Sequence, residues 1–129
     1  MQVSSSPLIF LVVESKQEQT MEWTTITTES SEGAELRLTG DFDLYHAPRF
    51  SHYVLGKIEA GWRTVHLDLE GVTYLDSTGV GSIIRIAQAL RRKGTKLRYS
   101  GLAGSPRRVL EMSNILPLLE EIKQGKVKA

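Results

Sequence analysis

Two short acidic segments hold the side chains best suited to chemistry: Asp41-Phe42-Asp43 and Asp76-Ser77-Thr78-Gly79-Val80-Gly81. In the second, a carboxylate directly precedes a hydroxyl where an apolar-periodic segment begins. Short side-chain oxygens at such a place satisfy the first free backbone N–H groups of a helix. A hydroxyl there lies at the positive end of the helix dipole, and a phosphate attached to it would meet the same converging donors. Gly79 and Gly81 leave the first turns without side chains, so a partner surface can approach the backbone closely. Helix propensity alone would not select two glycines, each costing ~1 kcal/mol relative to Ala. The plainer reading of these residues is ordinary capping, with the glycines easing the packing of helix on sheet. Local chemistry leaves both readings open.

Other constellations are weaker. Asp41, Asp43, Asp68 and Asp76 together would suit a Mg²⁺ cluster, yet Asp68 falls in mid-strand and no Lys or Arg sits in a phosphate-clamping motif. His46 and His52 are six residues apart, which misses the three- or four-residue spacing of a shared helix face. His66 alternates with core positions of a strand, so all three histidines read as surface or loosely packed residues rather than ligands. Ser77 lacks the Gly-x-Ser-x-Gly elbow of a hydrolase nucleophile. With no cysteine, disulfide scaffolds, thiolate metal sites and Cys nucleophiles are excluded. The expectation is a protein that is not an enzyme and uses no cofactor or metal. Sixteen Lys plus Arg against 15 Asp plus Glu give a net charge of +1, no electrostatic reason for direct nucleic-acid binding. Arg91-Arg92-Lys93 and Arg107-Arg108 read as solvated helix ends.

The elements that must position these residues are legible from periodicity. Thr24 to Thr28 reads as a strand, Ser30-Ser31-Glu32-Gly33 as a hairpin loop, and Ala34 to Thr39 as a second strand with Leu36 and Leu38 on one face. Gly40 ends it, and Asp41-Phe42-Asp43 opens a loop. Pro48 suits the first turn of a helix; Phe50, Val54, Leu55 and Ile58 recur at helical spacing up to a stop at Gly61. Arg63 to Glu70 is a strand, with Val65, Leu67 and Leu69 facing one way and His66 and Asp68 the other. A helix from Ser77 to about Lys93 carries an apolar stripe of Val80, Ile83, Ile84, Ala87 and Leu90 and closes at Gly94. Leu97 to Ser100 is a strand, and a helix from Ser105-Pro106 carries Val109, Leu110 and Met112. Residues 115–122 fit a strand or a helix. The order β-β-α-β-α-β-α predicts an α/β fold with a mixed sheet: an opening antiparallel hairpin, then parallel β-α units.

A chain of 129 residues, 40% hydrophobic and 24% charged, matches one domain with a core of its own. Leu8 to Val13 is the most apolar run, but six residues cannot span a bilayer, which takes ~20, and no basic segment precedes it as in a secretory signal. The expected division is an extension over 1–22 with a candidate extra strand, a domain over 23–122, and a short basic tail over 123–129. A cytoplasmic protein without membrane insertion is the default, and the apolar run is a candidate route to a homodimer.

The run from Val65 to Gly81, VHLDLEGVTYLDSTGVG, resembles the signature of STAS domains, specifically bacterial anti-sigma factor antagonists. Leu38-Thr39-Gly40-Asp41-Phe42-Asp43, four residues before Ala47, resembles that family's first loop, and Ser100-Gly101-Leu102 through Val109-Leu110-Glu111-Met112-Ser113 its third strand-to-helix stretch. The resemblance covers about Trp23 to Leu119. It implies a single-domain STAS-like sheet with helices packed mainly on one face. It also implies a switch: an anti-sigma factor that is also a serine kinase phosphorylates Ser77, with Thr78 as the alternative acceptor, and a phosphatase reverses the modification. Unphosphorylated, such an antagonist binds the anti-sigma factor and frees a sigma factor. Asp76 would cap the helix and position Ser77, while Asp41, Asp43, Gly79 and Gly81 help form the docking surface with Ser77 and Thr78. Alternative roles within the family are a scaffold subunit of a stress-signalling complex and a cytosolic accessory subunit of a membrane transporter. Two departures stand out: the extension over residues 1–20, and an end, Lys123 to Ala129, too short and basic for the additional C-terminal helix that family members often carry.

Overall fold

The computed structural model describes residues 10–13, 20–25 and 32–123. Six strands form one sheet in sequential order: β1 (Phe10–Val13), β2 (Thr20–Thr25), β3 (Gly33–Phe42), β4 (Thr64–Leu75), β5 (Leu97–Ser100) and β6 (Leu119–Glu121). The β1–β2 and β2–β3 pairs are antiparallel, and β3 through β6 are parallel. The helices α1 (Ala47–Ala60), α2 (Ser77–Arg91) and α3 (Gly104–Met112) fill the three crossovers. The mixed α/β sheet expected from the sequence is present, with a strand added at each edge.

Alternation decides which face of the sheet is covered. Leu36, Leu38 and Phe42 of β3, Val65 and Leu67 of β4, and Leu97 and Tyr99 of β5 are buried. Over them lie α1, with Phe50, Val54 and Ile58, and α2, with Val80, Ile83, Ile86, Ala87 and Leu90. Phe50 receives the edges of Trp23, at 5.1 Å between centroids, and of Phe42, at 5.7 Å; such edge-to-face pairs add to the gain from burial. The opposite face is polar. Arg37 Nε lies 3.1 Å from Asp68 Oδ2, and His66 Nε2 lies 2.8 Å from Ser100 Oγ. Helix α3 lies against β4.

Several expectations need correction. The β2 strand begins at Thr20, and its Met21 is as deeply buried as Phe42. Val12 of β1 pairs with Met21, which places a strand inside the expected extension. Residues 30 and 31 of the expected loop, the end of the strand expected at 24–28, and the tail beyond residue 123 lie outside the described residues. In α2, Ile86 takes an inward position and Ile84 is only half-buried. Met112 of α3 is 77% exposed rather than part of the core. Residues 115–122 divide into a 3₁₀ turn at Leu116–Leu118, followed by β6.

The turn and strand β6 are held by charge. Arg107 of α3 donates to both carboxylate oxygens of Glu121, at 2.8 and 2.9 Å, and Tyr99 donates to one of them at 3.3 Å. Burial alone would raise the Glu121 carboxyl above its ordinary pKa, but the Arg107 hydrogen bonds and charge outweigh it and hold the group below that value.

The length of β4 determines where the acidic segments end up. The strand does not stop at Glu70 but runs to Leu75. Its pairing with β3 slips between Arg37 and Thr39 and again between Gly40 and Asp41, where Gly40 takes φ 94°. Such a left-handed backbone favours glycine. Beyond the slips, Asp41 pairs with Tyr74 and Phe42 with Leu75, so both strands end level at one edge of the domain.

Candidate functional site

The level ends of β3 and β4 bring the two acidic segments together, as expected for a site beyond the carboxyl ends of parallel strands. Asp76 is the N-cap of α2, with an extended backbone (φ −117°, ψ −173°). Its Oδ1 accepts from the N–H groups of Thr78, at 2.9 Å, and Gly79, at 3.0 Å. Its Oδ2 accepts from Leu44 N–H, 3.2 Å away in the loop between β3 and α1. One carboxylate therefore caps a helix and ties it to the neighbouring loop. Replacing Asp76 with Ala is expected to lower unfolding free energy by about 1–2 kcal/mol in a denaturant titration, the usual worth of an N-cap plus a tether.

Ser77 follows at the first position of α2. It is exposed, and its hydroxyl has no hydrogen-bond partner among the described residues. Asp76 takes the N–H groups of Thr78 and Gly79, which leaves the N–H of Ser77 itself as the remaining donor of the first turn. Thr78 is half-buried, which leaves Ser77 the more accessible hydroxyl.

The remaining expected residues divide. Asp41 is half-buried at the end of β3 and accepts from Thr73 Oγ1 at 3.4 Å. Asp43 is buried: its Oδ1 accepts from Tyr45 N–H at 3.0 Å and His46 N–H at 3.1 Å, and lies 2.7 Å from His46 Nδ1. Its carbonyl accepts from Ala47 N–H at 2.7 Å. Asp43 thus builds the turn that feeds α1. His46, expected on the surface, is buried with it. Asp43→Ala should lower unfolding free energy by about 2–4 kcal/mol, because it leaves the buried His46 Nδ1 and the Tyr45 N–H without their partner, while His46 N–H keeps its bond to the Asp43 carbonyl. Thermal or denaturant unfolding checks this.

The glycines divide as well. Gly79 is buried, and a Cβ there would run into the Phe42 carbonyl and lie 2.6 Å from Leu75 Cδ1. It seats α2 on the strand ends. At Gly81, the nearest atom to an added Cβ is Arg85 Nη1 at 3.8 Å, so the first turn is open on that side.

Leu44, Tyr45 and Tyr74 join the site without having been expected there from the sequence. They are 57%, 56% and 49% exposed, and with Asp41, Asp43 and Asp76 they line a shallow hollow of about 300 Å³. Large apolar side chains gathered around carboxylates at one edge have the composition of an interaction surface, where Tyr is enriched. The only signal in the sequence is that Leu44 and Tyr45 fall between the strand and helix periods and serve neither. Among the described residues, no group of three or more His, Asp or Glu side chains is placed to hold a metal ion.

The architecture is that of an α/β domain with a serine displayed at a capped helix terminus. The STAS domain family matches residues 24–128, and the chain belongs to that family. The anti-sigma-B factor antagonist of Staphylococcus aureus is 27% identical over 93 residues, covering 72% of this chain and 86% of that protein. The fold is shared with the anti-sigma factor antagonist SpoIIAA in its unphosphorylated form, at a TM-score of 0.67 and 16% identity over 94% of this chain and 93% of that one. Part of a murine anion transporter, Solute Carrier 26 family member A9, also shares it, at a TM-score of 0.58 and 12% identity over 88% of this chain and 19% of that one. Among the described residues, no helix is long and apolar enough to cross a membrane.

Proposed function

We propose that this chain is a non-catalytic anti-sigma factor antagonist of the cytoplasm. In its unphosphorylated form it docks an anti-sigma factor that is also an ATP-dependent serine kinase, and a sigma factor is thereby freed. Phosphorylation of Ser77 dissolves the complex, and a phosphatase restores it. The observation that carries this reading is the exposed, unbonded Ser77 hydroxyl beside Asp76, next to the hollow of Leu44, Tyr45 and Tyr74. The names of the relatives add support, and the fold-sharing Bacillus SpoIIAA has been solved in a phosphorylated form.

The switch works by charge at a docking surface. A phosphate adds about −1.5 to −2 charges at neutral pH. Asp76 already occupies the N–H groups of Thr78 and Gly79, so the new charge gains little from the helix terminus and stands beside the Asp76 carboxylate. A partner that covers the hollow must then bury that charge or leave. Asp43, Gly79 and Gly81 shape this surface from beneath, and Thr78 is the secondary acceptor.

The test is phosphotransfer. The purified chain is incubated with ATP and each anti-sigma factor kinase encoded by its host, and the modified residue is located by mass spectrometry. Phosphate on Ser77, lost in Ser77→Ala, supports the reading; no transfer from any of these kinases overturns it. The fold likeness to the anion transporter favours a second reading, an accessory or scaffold role in which the chain copurifies with a membrane protein and Ser77 is never modified. A homodimer through β1, an edge strand of the sheet among the described residues, is compatible with either role. Removing residues 1–13 should convert such a dimer to monomer in light scattering.

A further inference from the structure

The end of α2 remote from Ser77 has its own chemistry. Ala87, Gln88 and Arg91 of the helix, Thr95 and Lys96 of the following turn, and Pro117 and Leu118 of the 3₁₀ turn enclose a pocket of about 200 Å³. Its apolar part includes Leu118, one of few large apolar side chains exposed on the described surface. Its polar part is cationic.

Those cations have no structural task that consumes them. The carbonyls at the end of α2 are satisfied by the backbone: Arg92 N–H donates to Gln88 O, Lys93 and Thr95 N–H to Leu90 O, and Gly94 N–H to Arg91 O. The Thr95 hydroxyl adds a further bond to Leu90 O at 3.2 Å. Elsewhere on the surface, Arg37, Arg98 and Arg107 each meet a carboxylate. Arg91, Arg92 and Lys93 have no carboxylate partner among the described residues, and Lys96 Nζ reaches only the Pro117 carbonyl, at 3.4 Å. Positive charge therefore collects at this end, while Asp41, Asp43 and Asp76 lie at the other.

We propose that this pocket binds a small amphipathic carboxylate, its anionic head between Arg91 and Lys96 and its short apolar body against Ala87, Pro117 and Leu118. A guanidinium presents paired donors that match the two oxygens of a carboxylate, and the Gln88 amide adds further hydrogen-bonding capacity. The apolar lining selects a ligand with a hydrocarbon body over a bare ion. This site is independent of the role assigned to Ser77.

The test is a titration of the full, ¹⁵N-labelled chain with sodium butyrate, sodium acetate and methyl phosphate at matched ionic strength, read by amide chemical shifts. Butyrate is expected to shift residues 87–91, 95–96 and 117–118 saturably and more tightly than acetate. The Arg91→Gln/Lys96→Gln variant, altered only at exposed side chains, should weaken butyrate binding by about tenfold or more, the worth of lost charge-assisted hydrogen bonds. The control Arg108→Gln should leave it unchanged. Shifts scattered over all basic residues, equal affinity in the double variant, or saturation by methyl phosphate but not butyrate would each overturn the assignment.

Discussion

Ser77→Asp is expected to weaken binding to the cognate anti-sigma factor by about 10²- to 10³-fold, with little change in melting temperature. An uncompensated charge enclosed at an interface costs about 2–5 kcal/mol, and the geometry gives this charge little local relief. The N–H groups of Thr78 and Gly79 are bonded to Asp76 Oδ1, at 2.9 and 3.0 Å, which leaves only the N–H of Ser77 itself in the first turn. The neighbouring carboxylate of Asp76 repels it. Because the wild-type hydroxyl is exposed and makes no hydrogen bond among the described residues, the substitution removes nothing from the fold. Ser77→Ala should bind as wild type does, to within about 0.5 kcal/mol, as expected of a surface substitution that leaves its surroundings intact. Calorimetric titration of the three proteins with the purified partner measures the difference. Equal affinities for wild type and Ser77→Asp would reduce Ser77 to a plain helix start, and the scaffold or transporter reading would move ahead.

What can be read from the sequence depends on the range of the forces involved. The Asp76 cap and the Pro48 start and Gly61 stop of α1 rest on contacts within a few residues, and each lies where its local pattern places it. The local pattern cuts β4 short because Gly71 reads as punctuation when taken alone. In the sheet, Gly71 pairs with Thr39, and a Cβ on it would stand 2.6 Å from Thr39 Cγ2. That constraint comes from a partner strand more than 30 residues away in sequence. The same distance hides the second role of Asp76, since its bond to Leu44 spans 32 residues. Asp43 and His46 depart from expectation for a different reason. Residue type alone puts each on the surface, but the Asp43 carboxylate and His46 Nδ1 meet at 2.7 Å, so the two are buried together. The hollow is invisible in the sequence because Leu44 and Tyr45 join Tyr74 only through the slipped register of β3 on β4.

Gly79 and Gly81 look alike in the sequence, as two gaps in the first turns of α2, yet replacing each with Ala should have opposite effects. Gly79→Ala is expected to lower unfolding free energy by about 2–4 kcal/mol, in the range of overpacking at a rigid site. Its Cβ would meet the Phe42 backbone carbonyl, which cannot rotate away, and Leu75 Cδ1 at 2.6 Å. Relief requires lifting the N-terminus of α2 from the strand ends, and that movement strains the Asp76 bond to Leu44. Gly81→Ala meets only the far end of Arg85, at 3.8 Å, so it gains the helix propensity of Ala without a clash. It should stabilise the chain by about 0.5–1 kcal/mol through reduced freedom of the unfolded state. Denaturant titrations of the two variants beside wild type decide the matter. If Gly79→Ala is neutral, α2 does not seat on β3 through this position, and the shape assigned to the Ser77 surface is wrong. If Gly81→Ala is as damaging as Gly79→Ala, the open side of the first turn is occupied by something other than solvent. When both behave as expected, Gly81→Ala becomes the cleaner probe of docking. It adds a methyl group one turn from Ser77 without disturbing the fold, so any loss of partner affinity reports direct contact at that turn.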